Sequence, residues 1–297
     1  MVSVHNFANG LLNPALGYVM SCVGSFLGLR CVALARVYRG AARARWLSLA
    51  AVSIGATGVW AMYFIAMLGF SIPGQQIRYN VPMTVAALLV AVAVVGVGLF
   101  IVGFGDGARP GLLAGGVIIG VGLAVVHYLG MAAMSTQDSM SYRVPLVALS
   151  VLIAIVVGIA ALWISTWVSG VAATIGVALV MGFAISGMHY TGMAALQIYR
   201  DPRSSMAAAT ASGIAHMSGA TVSGATAADF LIPLLLVISI ATFAVTLVIS
   251  MSPRAEEIEA DAELQRRMEY LQRRRSRGQV PSLPANTQPW SVLDDRF

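Results

Sequence analysis

The sequence predicts an all-α polytopic membrane protein with seven transmembrane helices, built as three repeated helical hairpins plus a seventh helix, with the N-terminus outside and the C-terminus in the cytoplasm. Three observations carry this. The 297 residues are 58% hydrophobic and only 10% charged, whereas a soluble domain carries about 25% charged residues because its surface faces water. The apolar residues gather into runs of about 20, the length a helix needs to cross the hydrocarbon core. The basic residues sit mostly on one side of those runs. This composition excludes a disordered chain and a disulfide scaffold, and a net charge of +6 cannot build the dense basic face of a nucleic-acid-binding domain. Nucleic acid is therefore not an expected partner; the lipid bilayer is.

Seven spans follow in order, over residues 14–35, 46–70, 82–104, 111–135, 144–168, 171–198 and 229–251. Continuous apolar runs exclude the ten-residue alternation of a transmembrane barrel strand. All 18 basic residues are arginine, so mechanisms that need a lysine amine, such as a retinal Schiff base or a P-loop, are excluded. Thirteen arginines fall in the loops after spans 1 and 3 and in the tail, among them Arg36, Arg39, Arg43, Arg45 and Arg109. Four, Arg78, Arg143, Arg200 and Arg203, fall on the other side. Cytoplasmic loops retain positive charge, which gives the N-out, C-in orientation. No basic segment or small-residue cleavage site precedes span 1, so it is expected to be a retained helix. Cys22 and Cys31 stand nine residues apart in one span and cannot face each other.

A repeat carries the chemistry. Met62-Tyr63-Phe64-Ile65-Ala66-Met67, Val126-His127-Tyr128-Leu129-Gly130-Met131 and Met188-His189-Tyr190-Thr191-Gly192-Met193 align on spans 2, 4 and 6, spaced by 64 and 62 residues. Parallel repeats of this kind suggest a pseudo-threefold arrangement with a shared central layer. Met62, His127 and His189 each lie about eight residues from the outer end, roughly 12 Å at 1.5 Å per residue. Cys22 on span 1 is expected at the same level. Residues four apart share a helix face, so His127 stacks with Met131, His189 with Met193 and Tyr63 with Met67. Ionisable residues at membrane depth are rare and mostly functional. Eleven of the 15 methionines fall in the outer half or outer loops. Thioether, thiolate and imidazole donors together favour a soft ion, copper above all as Cu(I). The same methionines could instead fill irregular packing, with Gly130 and Gly192 letting helices approach.

Met188-His189-Tyr190-Thr191 spells the signature of the MHYT domain, and three registered copies on alternate helices of a seven-helix frame resemble that bacterial family of membrane sensor modules. The resemblance covers roughly residues 7–251. It implies copper held by His127, His189, Met131, Met193, Met188 and Met67, with Cys22 as a further donor, and sensing of a diatomic gas such as oxygen, carbon monoxide or nitric oxide. It also implies a multi-pass protein of the bacterial plasma membrane. This chain departs from the pattern at Tyr63, where the family has His, and at Val126, where it has Met.

The remaining segments are plainer. Residues 199–228 read as a small-residue outer linker containing His216-Met217, and His5 as a solvated residue. Asp138 and Asp229 mark interfacial boundaries. The tail, residues 252–297, is expected to continue helically from span 7 to about 277, with Glu263–Arg267 and Glu269–Arg273 pairs, and then to be disordered around Pro281, Pro284 and Pro289. It holds no segment of catalytic-domain size, which predicts a stand-alone, non-enzymatic membrane module whose output passes to a separate cytoplasmic signalling partner. Two other functions remain open at this point: a transporter or channel for copper or another small solute, and a haem-binding carrier with axial histidines.

Overall fold

The computed structural model describes residues 10–72, 77–105, 109–135, 139–199, 225–226, 232–253 and 255–276. The expectations for His5, Asp138, Arg200, Arg203, His216, Met217, Asp229 and the end of the tail lie outside these residues. The chain divides into two compact units, Met1–Ser252 and Pro253–Phe297.

Seven helices are long and apolar enough to cross a membrane: span 1 Leu12–Val37, span 2 Gly40–Leu68, span 3 Val81–Phe104, span 4 Arg109–Ala132, span 5 Val144–Ser165, span 6 Val171–Ala194 and span 7 Ile232–Ser250. The fold is all-α and polytopic. Span 2 begins six residues before its predicted start, because Gly40 at φ +57° turns the chain directly into helix after span 1, a conformation open to glycine at little cost. Gly170, at φ +81°, does the same at the start of span 6.

Span 2 contains a second departure from expectation, since Ser53–Ala61 is π-helix, followed by α-helix from Met62 to Leu68. π-Helical insertions are rare and concentrate at functional sites. Here the insertion directly precedes the first motif copy and lies wholly within the protein, with Trp60 fully buried and its indole N–H donating to the Thr84 carbonyl on span 3 at 3.2 Å.

Neighbouring spans close a ring in the order 1-2-3-4-5-6, and span 7 lies outside it against spans 1 and 2. Lipid offers no hydrophobic drive to hold helices together, so close backbone approach at small residues does that work. Gly24 of span 1 meets Gly58 of span 2, and Gly158 of span 5 meets Gly116 and Gly120 of span 4; a Cβ at Gly24 or Gly158 would strike the facing backbone. Span 2 is the most enclosed, with 83% of its most apolar stretch buried, against 11% for span 7. Leu89, Leu152, Phe183 and Phe243 are exposed, on faces that a bilayer would cover. Thr57 in the π-helix and Thr242 of span 7 share a hydrogen bond at 2.7 Å.

Spans 4 and 6 end three to four residues before their predicted limits because the chain turns into short strands. β1 is Arg78–Tyr79, β2 Met134–Ser135, β3 Ser139–Tyr142, β4 Leu196–Tyr199 and β5 Ala225–Thr226. β1 pairs antiparallel with β2 and β5, and β3 with β4. The strand leading into span 3 therefore pairs with the one leaving span 4 (Tyr79 opposite Met134), and the strand leading into span 5 with the one leaving span 6 (Tyr142 opposite Leu196). One hydrogen bond repeats in both units: Asn80 N–H donates to the Ala133 carbonyl and Arg143 N–H to the Ala195 carbonyl, each at 2.8 Å. Asn80 and Arg143 are each followed by Val-Pro at the first turn of a span, where proline is tolerated because that N–H lacks a helical partner. The hairpins of spans 3–4 and 5–6 are thus clipped shut at the motif end.

In the second unit a helix runs from Ala255 to Ser276. It does not continue span 7, which stops at Ser250: Pro253 cannot donate to a helical ladder and restrains the residue before it. Glu263 and Arg267 form the expected pair at 3.0 Å, with both side chains well exposed.

Candidate functional site

The three motif copies meet. Tyr63, His127 and His189 form a triangle with ring centroids 5.5 Å (Tyr63 to His127), 5.1 Å (Tyr63 to His189) and 5.2 Å (His127 to His189) apart, every pair within 5° of perpendicular. These are edge-to-face contacts, a favourable arrangement for rings with a negative face and a positive edge. The three rings come from spans 2, 4 and 6 and are buried to 3%, 2% and 1% exposure. The expected shared layer therefore exists, with Tyr63 and not Met62 as the member from span 2. Met62 turns its backbone carbonyl and side chain toward Gly17 of span 1.

Glycine sets this geometry through a rule that steps around the ring. A Cβ at Gly130 of span 4 would lie 2.7 Å from two atoms of the Tyr63 ring, and one at Gly192 of span 6 would overlap Nε2 of His127. Each of these glycines stands three residues after its own histidine and seats the ring of the preceding copy. The corresponding residue of the first copy is Ala66, itself buried. The sequence suggests small residues for helix approach at Gly130 and Gly192; that each is the seat of an aromatic ring follows only from which helix faces which.

Beside the triangle, Tyr128 packs edge-on against His127 (4.9 Å) and Tyr190 against His189 (5.0 Å). The Tyr128 hydroxyl shares a 2.7 Å hydrogen bond with Ser150 of span 5, and its ring meets Tyr142 of β3, so the strand clip and the motif are in contact. Thr191 donates its hydroxyl back to the Gly187 carbonyl at 2.7 Å, a local helix bond that does not involve the rings. Met67, Met131, Met188 and Met193 are all buried in the same core, Met67, Met131 and Met193 one turn beyond the rings and Met188 directly before His189. Phe64 is edge-on to Tyr63, and Tyr79 of β1 packs on Phe64. Burial raises the Tyr79 hydroxyl above the ordinary phenol range, so it stays neutral.

Cys22 does not share this level. Its Sγ lies 2.5 Å from where a Cβ of Gly182 would stand, and Gly182 precedes His189 by seven residues, roughly 10 Å along a helix. Gly17, not Cys22, is the residue of span 1 that reaches the level of Met62. Counting residues from predicted span ends misses this, because the ends of spans 1 and 2 differ from those the sequence suggests. Cys22 and Cys31 are both free thiols.

Four polar atoms of the triangle are unsatisfied within the protein. Both ring nitrogens of His127, Nδ1 of His189 and the Tyr63 hydroxyl are buried without a hydrogen-bond partner. A buried polar group left unpaired costs about 1–3 kcal/mol, and four such groups stand together where the three motif copies meet. Among the described residues no group of three or more His, Cys, Asp or Glu is placed to hold a metal. A metal here would have to draw on two imidazoles and on thioether sulfur, a set that suits copper better than zinc or magnesium.

Two segments, residues 57–115 and 120–180, match the MHYT family model, described as a bacterial signalling protein N-terminal repeat. The chain belongs to the MHYT family. Tyr63 and His127 lie inside the two matched segments, whereas Met188–Met193 lies beyond both, so the third copy of this MHYT domain is established by sequence register and by the meeting of its ring with the other two. The chain is 33% identical over 241 residues to the bifunctional diguanylate cyclase/cyclic di-GMP phosphodiesterase MucR of Pseudomonas aeruginosa, covering 80% of this chain and 33% of that protein. It is 36% identical over 190 residues to the cyclic di-GMP phosphodiesterase NbdA of the same organism, covering 61% of this chain and 24% of that protein. The signaling protein YkoW of Bacillus subtilis is 29% identical over 198 residues, 63% of this chain and 24% of that protein. The chain thus spans a third or less of the length of these relatives. No solved structure matches it. Family and helices together make this a multi-pass protein of the plasma membrane and a membrane signalling module.

Proposed function

We propose that this MHYT protein is a non-enzymatic sensor whose layer of Tyr63, His127 and His189 binds copper and, through it, reports on a diatomic gas: oxygen, carbon monoxide or nitric oxide. The observation that carries the reading is the set of unpartnered nitrogens on His127 and His189, buried among methionines at membrane depth. His127 and His189 would hold the ion, with Met131, Met193, Met67 and Met188 as thioether donors; Cys22, two turns away, is outside the first set. Bound copper would supply an open coordination position for a gas that imidazole and thioether alone do not bind. The chain's own contribution is positional. Gly192 fixes where the His127 ring stands, Gly130 fixes Tyr63, and the Tyr128–Ser150 hydrogen bond ties span 4 to span 5 next to His127.

Two features favour this over the competing functions. A haem with axial histidines would have to place its macrocycle between rings in edge-to-face contact with centroids 5.2 Å apart. A transporter needs coordinating groups along its whole path, and the central space below the layer is lined by aliphatic residues apart from Ser165 and Met181. The basic loops orient the protein with the motif end outside and the tail in the cytoplasm. MucR and NbdA are named for cyclic di-GMP turnover, and the output of this module is a cytoplasmic partner of that signalling class.

The test is metal analysis of protein purified without added metal. Copper near one equivalent is expected, falling at least tenfold in His127→Ala/His189→Ala. Undiminished copper in that double variant, or none in the native protein after copper loading and washing, would refute the site.

A further inference from the structure

Directly beneath the rings lies a cavity that the metal reading does not use. Val59, Leu123 and Ile185 each stand four residues before Tyr63, His127 and His189, on spans 2, 4 and 6, and all three line it. The outer helices of each hairpin complete the wall, with Leu29 on span 1, Val95 on span 3 and Val157 on span 5. The cavity therefore follows the same threefold pattern as the ring layer and is separated from it by one turn of helix. Its size is about 30 Å³, on a measure where a single water needs roughly 10–15 Å³. Water needs two to four polar partners to stay in such a space. The hydroxyl of Ser165, at one end, is already donated to the Leu162 carbonyl at 2.7 Å, and the other lining residues are apolar.

A second, larger space of about 290 Å³ opens at the arginine-rich end and shares Val32, Leu99, Leu162 and Ser165 with the first. Its charged groups are committed to the backbone. Arg36 donates to the Thr166 carbonyl at 2.8 Å and also to that of Val168, and Arg43 donates to the carbonyls of Ala35, Tyr38 and Gly103 at 2.9–3.1 Å. These guanidiniums staple helix ends together and give an ion entering the vestibule nothing to follow inward. An uncharged molecule with no hydrogen-bonding needs loses nothing by continuing.

We propose that the central cavity is a binding site for a small, uncharged apolar molecule of diatomic-gas size, entered from the arginine-rich end and separated from the ring layer by Val59, Leu123 and Ile185. This deepens the sensor reading by giving the gas a place to collect next to the site that detects it. Only that consequence rests on the sensor reading; the cavity itself does not require copper.

Noble gases report such a site directly, since apolar protein cavities take up xenon. Crystals of the full chain pressurised with xenon or krypton should show an anomalous peak bounded by Leu123, Val95 and Val157. Val157→Phe and, independently, Leu99→Phe fill the space from two different helices, and each should reduce that peak at least tenfold while the protein retains its native melting behaviour; if one fails to fold, the other decides. No peak in the native cavity, a chain of ordered water in it, or undiminished peaks in the filled variants would overturn the proposal. In His127→Ala/His189→Ala the peak should persist whether or not copper is lost, so failure of the metal site and failure of the cavity are read separately.

Discussion

The first motif copy and the other two occupy equivalent places and differ in chemistry. Copies two and three present a histidine, and three residues later a glycine that seats the neighbouring ring. Copy one presents Tyr63 and Ala66 at the same steps, on a helix whose preceding nine residues are π-helical and which is more enclosed than any other span. The triangle still closes with nearly equal sides. Backbone placement is thus shared among the copies while donor chemistry is not: two copies offer imidazole nitrogen, and the third offers a phenol on the best-packed helix.

The largest effect is expected where that seating is broken. Gly192→Val places a branched side chain where the His127 ring stands; overpacking of this kind costs about 1–3 kcal/mol, and with displacement of the ring the variant should melt well below the native protein and, under the proposed function, retain less copper. Ala66→Gly, the matching position of the first copy, should change the melting temperature far less, by about 1 kcal/mol for glycine in a helix interior. If both variants behave alike, the seating rule is wrong.

Tyr63→His makes the three copies chemically equal. Copper affinity should rise at least tenfold, equivalent to about 1.4 kcal/mol, as measured by competition with a chelator of known affinity. Unchanged affinity would mean that the ring on span 2 does not face the ion. Tyr63→Phe tests the same residue as a structural element: its hydroxyl has no partner, so removing it should leave stability unchanged or raise it by up to about 1 kcal/mol.

Thr242→Val removes the hydrogen bond that ties span 7 to the π-helix. Interhelical hydrogen bonds within membranes average about 0.6 kcal/mol, so a small fall in melting temperature is expected, along with faster amide exchange in Ser53–Ala61 if the bond supports that segment. The smallest effect belongs to Glu263→Gln in the tail. Its ion pair with Arg267 is exposed, and i,i+4 pairs of that kind contribute about 0.3–0.5 kcal/mol, so helicity should fall slightly and only at low salt.

Much of this was legible in the sequence. Apolar runs of membrane length gave seven spans, because crossing a bilayer demands length and hydrophobicity irrespective of partners. His127 and His189 stood out because ionisable residues in so apolar a chain are few. The strands at the motif end are not visible in the sequence: they are two to four residues long, and β1 to β4 pair only because the strand entering a span meets the strand leaving the next. The π-helix carries no clear mark in Ser53–Ala61, a segment packed against spans 1 and 3. Cys22 was misplaced because depth was counted from predicted ends, and an error of a few residues at each end is as large as the distance being judged.

By itself the sequence determined the membrane spans, the threefold repeat and the histidines and methionines that recur in it, all of which depend on composition and spacing along one helix at a time. Only the tertiary structure decided that Tyr63 joins the histidines in place of a third imidazole, that Gly130 seats Tyr63 and Gly192 seats His127, and that an apolar cavity lies one turn below. Those facts concern which faces of different helices meet, and in lipid that choice rests on close contacts between small residues far apart in the chain, which no local pattern records.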